Sequence, residues 1–143
     1  MKIKQISVFL ENKSGRLAAV TRLLAEKVIN IRALSIADTT DFGILRLIVD
    51  KPDEAYRFLK EAGFTVSVTE VLGVEMPDRP GGLDSVLSVM AQEDINIEYL
   101  YAFIGRSGNG AIVIFRVEEL DKALQVMKSR GINVLNADKI YNL

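Results

Sequence analysis

Histidine and cysteine are both missing from the 143 residues. Their absence excludes imidazole acid–base catalysis, thiol nucleophiles, Cys/His zinc or haem sites, disulfides and thiol redox switching. Excess charge is missing as well: 18 Lys and Arg stand against 19 Asp and Glu, a formal net charge of −1 with no basic cluster. Nucleic acids and anionic membranes are ordinarily met by a basic stripe, so neither is an expected partner. No apolar run approaches the ~18 residues of a membrane span. Met1-Lys2-Ile3-Lys4-Gln5 leads into a strand pattern without the apolar block of a signal peptide. A cytoplasmic location is the expectation. What is present is an ordinary globular composition, 49% apolar and 26% charged, enough to bury a core.

The chain repeats itself. A shift of 66 positions lays Gly15, Leu17, Val20, Ala25, Ile29, Asn30, Ile31 and Leu34 on Gly81, Leu83, Val86, Ala91, Ile95, Asn96, Ile97 and Leu100, all identical. Further along the offset becomes 68 and pairs Val49, Asp53, Ala55, Lys60, Gly63 and Val66 with Val117, Asp121, Ala123, Lys128, Gly131 and Val134. The two extra residues fall in Arg106-Ser107-Gly108-Asn109-Gly110, a hairpin turn aligned with the shorter Asp38-Thr39-Thr40-Asp41. Each copy reads strand, helix, strand, strand, helix, strand. Ile6, Val8 and Leu10 alternate with Gln5, Ser7 and Phe9. Leu17, Val20, Leu23 and Leu24 recur at helical spacing, as do Ala55, Phe58, Leu59 and Ala62 before Gly63.

A βαββαβ order is the ferredoxin-like arrangement, with both helices on one face of an antiparallel sheet. The expected fold class is therefore α+β, with two such repeats at 1–69 and 70–143. Each is small for an independent core, so the two are expected to pack together. Val66-Ser67-Val68-Thr69-Glu70-Val71-Leu72 joins them without a Gly/Ser/Pro linker.

The most informative segments connect the first strand to the first helix of each copy: Asn12, Lys13, Ser14, Gly15, Arg16 and Leu17, and Asp78, Arg79, Pro80, Gly81, Gly82 and Leu83. Gly15 and Gly81 sit where the chain turns sharply into a helix, whose unpaired backbone N–H groups suit a carboxylate. The plainer reading is a turn stabilised by Asn12 or Asp78 with no ligand. Asn30 with Ile31, and Asn96 with Ile97, open the next strand, where the amides either cap the connection or face a ligand.

Asp78-Arg79-Pro80-Gly81-Gly82-Leu83, followed by Asp94-Ile95-Asn96-Ile97-Glu98-Tyr99-Leu100-Tyr101, resembles the signature of the ACT domain family. Lys13-Ser14-Gly15-Arg16-Leu17 and Val28-Ile29-Asn30-Ile31 resemble it too, so the likeness spans nearly the whole chain. It implies a freestanding pair of ferredoxin-like regulatory modules, without catalytic residues, cofactor or metal. The implied ligand is a small molecule, an amino acid in particular, held by residues 12–17, 30–31, 78–83 and 96–97 at a site formed between copies. It further implies a homodimer, or an adaptor role on an amino-acid-biosynthetic enzyme. Asn12 stands where the signature has an acid and Ser14 where it has proline, so the two sites are not expected to be equivalent.

Three further readings belong to individual residues. Tyr99, Tyr101 and Phe103 align with Ala33, Ser35 and Ala37, and alternation puts this aromatic row on the sheet face without helices, as a packing surface or a base-stacking platform. Arg46 and Arg116 fall on the same face, in reach of Glu75 or a ligand carboxylate. Lys13-Ser14-Gly15-Arg16 also suggests an acylphosphatase-like hydrolase, although Gly82 leaves the second copy without the arginine.

Overall fold

The structure, a computed structural model, describes residues 2–38, 41–104 and 110–143. The two hairpin turns expected to differ in length fall on 39–40 and 105–109, outside the described residues. The elements run β1 Ile3–Glu11, α1 Arg16–Glu26, β2 Ile31–Asp38, β3 Phe42–Val49, α2 Pro52–Glu61 and β4 Thr65–Pro77, then α3 Gly82–Gln92, β5 Ile97–Ala102, β6 Gly110–Val117, α4 Leu120–Ser129, β7 Asn133–Leu135 and α5 Ala137–Tyr141. Two βαββαβ repeats are present, as the pattern predicts. The strands expected on either side of residue 70 form one strand, β4, because nothing between Thr65 and Pro77 breaks β-pairing.

Contacts divide the chain into two compact units, Lys4–Thr69 and Glu70–Leu143 together with Met1–Ile3. In the first, β1 pairs antiparallel with β3, Ile6 opposite Leu47 and Glu11 opposite Phe42. In the second, β4 pairs with β6, Leu72 opposite Phe115 and Pro77 opposite Gly110. These are the same pairs displaced by the sequence offsets. The irregularity in β2 between Ile31 and Ala33 likewise recurs in β5 between Ile97 and Tyr99.

Alternation then assigns the faces. Ile6, Val8, Leu10, Leu45, Leu47 and Val49 meet Val20, Leu24, Ala55 and Leu59 from α1 and α2 in the first core. Leu72, Val74, Met76, Val113, Phe115 and Val117 meet Val86, Met90, Ala123 and Met127 from α3 and α4 in the second. The opposite face of β1 is not polar surface as its alternation suggests: Gln5 and Ser7 are buried, with Gln5 Nε2 donating to Ser7 Oγ at 3.2 Å. In the second unit the short helix α5, too brief to show periodicity, is started by the Asn136 side chain accepting from Lys139 N. It buries Ile140 above Gly73, where any Cβ would lie 2.6 Å from the Ile140 side chain.

All four long helices end alike. The amides of Val28 and Ile29 donate to Ala25 and Leu24, and those of Gly63 and Phe64 to Lys60 and Leu59. The same paired bonds close α3 at Asp94 and Ile95 and α4 at Gly131 and Ile132. This is the Schellman termination, which needs a left-handed residue followed by an apolar one. Glycine fills the left-handed position at 63 and 131, but Val28 (φ 56°) and Asp94 (φ 54°) fill it at the other two. Aspartate tolerates that conformation; a β-branched residue there is strained by roughly 1–2 kcal/mol. Val28 is 76% exposed and gives up little burial if replaced. Val28→Asn should therefore raise the free energy of unfolding by about 1 kcal/mol in a denaturant titration, whereas Gly63→Val should lower it by a similar amount.

Candidate functional site

The two strand-to-helix loops are built alike. Gly15 (φ 88°, ψ −10°) and Gly81 (φ 87°, ψ −8°) are the N-caps of α1 and α3 in the left-handed conformation. Lys13 N donates to Glu11 O and Arg16 N to Lys13 O; at the equivalent places Arg79 N donates to Pro77 O and Gly82 N to Arg79 O. Neither helix is capped by a side chain among the described residues. The first amide of each helix, at Arg16 and Gly82, is thus bonded within its loop, and the next residues, Leu17 and Leu83, are each 38% exposed.

The loops differ in tightness. A Cβ on Gly82 would lie 2.1 Å from the carbonyl oxygen of Pro77, so α3 starts against the backbone of β4 with no room for a side chain. At the equivalent position of the first loop Arg16 is exposed. Glu11 there pairs with Lys13 at 2.9 Å and, loosely, with Arg16 at 3.9 Å. The hydrogen bond and charge of Lys13, with the charge of Arg16, hold the Glu11 carboxyl below its ordinary pKa.

Within a unit, the loop and the Ile-Asn-Ile triplet do not come together. Glu11 sits opposite Phe42, whereas Ile31 sits opposite Val49 at the other end of β3. The eight residues of β2 separate the two ends by about 25 Å at ~3.3 Å per residue. The reason is α1, which carries the chain from the loop back along the sheet before β2 begins. Asn30 and Asn96 act at that far end in connections between elements. Asn30 N donates to Asp50 Oδ1 at 2.9 Å, and Asn96 Nδ2 donates to Glu118 Oε2 at 3.2 Å. Asn12, Lys13, Ser14, Gly15, Arg16 and Leu17 do cluster, as do Asp78, Arg79, Pro80, Gly81, Gly82 and Leu83.

Each loop borders a groove that the sequence pattern did not single out. In the first unit a groove of about 470 Å³ runs from Phe9, Leu10 and Glu11 past Arg16 to Gly63, Phe64 and Thr65, with Phe42 on its rim. In the second, about 430 Å³ lies between Glu75, Met76, Pro77, Gly82 and Ser85 on one side and Arg130, Gly131, Ile132 and Asn133 on the other. Most of these residues correspond one to one under the two offsets. The legible signal was Phe9 and Phe42, large apolar residues on the non-helical side of their strands.

The sequence matches the ACT domain pair family over residues 1–143. The chain belongs to the ACT domain pair family. It is similar to protein BT0572 of Bacteroides thetaiotaomicron, with 45% identity and a TM-score of 0.94 over 100% of this chain and 98% of that one. The fold is also similar to the regulatory subunit of aspartate kinase from Thermus thermophilus, with 19% identity and a TM-score of 0.62 over 88% of this chain and 91% of that one. The corresponding subunit from Thermus flavus gives 16% and 0.58, over 88% and 90%. No functionally curated protein matches the sequence. An ACT pair is a regulatory rather than a catalytic unit.

In this ACT pair the aromatic row is on the face opposite α3 and α4, since Tyr101 and Tyr99 stand opposite Ile114 and Arg116. Their rings stack with centroids 6.4 Å apart at 21°. Tyr101 is only 7% exposed, so the row offers no open platform for bases. Arg116 does not pair with Glu75: it reaches Glu98 at 3.3 Å and the Val117 carbonyl at 3.0 Å, while Glu75 accepts from Asn133 Nδ2 at 3.1 Å. Bulged pairing brings Glu98 nearer to Arg116 than alternation alone suggests.

Two outcomes follow for the loops. Gly82→Ala should lower stability by about 2 kcal/mol, because backbone rather than a flexible side chain must move, and a thermal melt measures it. Lys13→Gln should move the Glu11 carboxyl back up toward the ordinary range in an NMR titration. Since its folded pKa is depressed, the stabilisation from Glu11 is present above the unfolded pKa and fades as pH falls through the folded one.

Proposed function

We propose that this ACT pair is a sensor that binds an amino acid at the loops 12–17 and 78–83. The observation that carries this reading is the repeated loop itself. Two left-handed glycines, at equivalent places, start two helices without a side-chain cap, and the residue that follows each, Arg16 or Gly82, lines a groove. Backbone amides at a helix start favour a carboxylate, and family membership makes a regulatory ligand the economical explanation for keeping them open. Binding regulates only through a difference in affinity between two states of the protein. A homodimer or a partner enzyme, carried over from the ACT resemblance, is where that difference is read out. The apolar residues left exposed along β2 and β5, Leu34, Ile36 and Leu100, support such an association.

A thermal-shift screen of the whole chain against the twenty amino acids at millimolar concentration tests this. A ligand at about 100 times its Kd stabilises the native state by about 2.7 kcal/mol, a readily measured rise in Tm. Gly15→Val or Gly81→Val should abolish the shift at its own loop, because open space surrounds both glycines and only their positive φ resists a side chain. A folded chain whose Tm responds to none of the twenty would overturn the proposal.

A further inference from the structure

The two grooves are equivalent in position and each has a glutamate and an arginine in its lining, but only the first is lined by phenylalanines, which bears on what it holds. Phe9 and Glu11 alternate with the core residues Val8 and Leu10, so they share the face of β1 turned away from the helices. Phe42 lies opposite Glu11 and diagonal to Phe9 across the β1·β3 pair, within the reach of aromatic side chains. Both phenylalanines are 52% exposed and line the groove with Phe64. In the second unit the equivalents are Glu75, Gly110 and Ile132. There a side chain in place of Gly110 would meet the Glu75 side chain at 2.7 Å, so Glu75 occupies the space over position 110. The fold therefore does not require aromatics in this groove; the first unit has them and the second does not.

Charged residues line the same groove. Among the described residues Arg16 makes only the 3.9 Å contact with Glu11, the outer limit of an ion pair, and its guanidinium borders the same groove. Glu11 supplies an acceptor beside it. A groove of about 470 Å³ lined by three phenylalanines together with an arginine and a carboxylate has the size of a small-molecule site. Its complement is a zwitterion with a flat apolar side chain. We infer that the first-unit groove takes an amino acid with an aromatic side chain, the ring lying against Phe9 and Phe42 and the carboxylate on Arg16. This rests on the sensor reading above and narrows it to one ligand class at one of the two loops.

Isothermal titration of the full chain with phenylalanine, tyrosine and tryptophan, and with leucine, threonine, lysine and aspartate, decides the matter. At least one aromatic amino acid should bind about ten-fold more tightly than any of the others, and Phe9→Ala and Phe42→Ala should each weaken it by about ten-fold. Phenylalaninamide, which lacks the carboxylate, should bind the native chain as weakly as phenylalanine binds Arg16→Gln. Circular dichroism of the variants separates lost binding from lost folding, and Phe42→Tyr should restore affinity. Tightest binding of a non-aromatic amino acid, unaffected by Phe9→Ala and Phe42→Ala, overturns the ligand class and leaves the sensor reading standing. Binding of no amino acid at all overturns both. A fall in sedimenting mass in Phe42→Ala, with aromatic binding unchanged, overturns the inference by showing that a second copy covers the groove.

Discussion

The antiparallel register between the central strand and the third strand governs both units. Once Glu11 stands opposite Phe42, and Pro77 opposite Gly110, the alternation of side chains assigns every other residue to the helical or the non-helical face. A slip of one residue would turn Val8 and Leu10 out of the first core and Val74 and Met76 out of the second. The same register places the strand-to-helix loop beside the start of the third strand, and so puts Arg16 near Phe42. Site and core are consequences of one set of hydrogen bonds.

Helix termini make the second constraint. Four Schellman closures return the chain to the sheet at matching places, and each is sealed by an apolar residue, Ile29, Phe64, Ile95 or Ile132. Two of these residues do a second thing: Phe64 and Ile132 also line the grooves. Residues that end a helix thus also shape the cavity beside the start of another. This coupling explains how one fold repeated within one chain holds two differently lined grooves: the backbone closure stays fixed while the side chain that follows it varies.

The strain at Val28 and the crowding at Gly82 show where repetition stops. Val28 keeps the left-handed backbone of Asp94 without a residue suited to it. Gly82 accepts a contact with Pro77 that Arg16, at the equivalent place, avoids by a looser loop. At Val28 and Asp94 the backbone is common to the two units and the side chain is not; at Arg16 and Gly82 the local backbone differs as well. Divergence of that kind leaves the fold intact while the lining of the two grooves changes.

The repeat, the order of strands and helices, and the two glycine-containing loops were legible in the sequence because they rest on local rules: periodicities of 2 and 3.6, and positive φ at glycine. Gly15 and Gly81 could be read as helix entrances from their neighbours alone. Other features depended on residues distant in sequence. That Asn30 and Ile31 lie about 25 Å from their own loop follows from the length of β2 and the return path of α1. That Gln5 and Ser7 are buried, and that Ile140 is held over Gly73, follows from packing that no local pattern encodes. The grooves gather residues 9, 16, 42 and 64, or 75, 82, 130 and 133, from four separate elements or connections. Sequence determined the repeating backbone through short-range conformational preference; tertiary structure decided which side chains meet, because only the closed sheet brings distant strands and helix ends within contact distance.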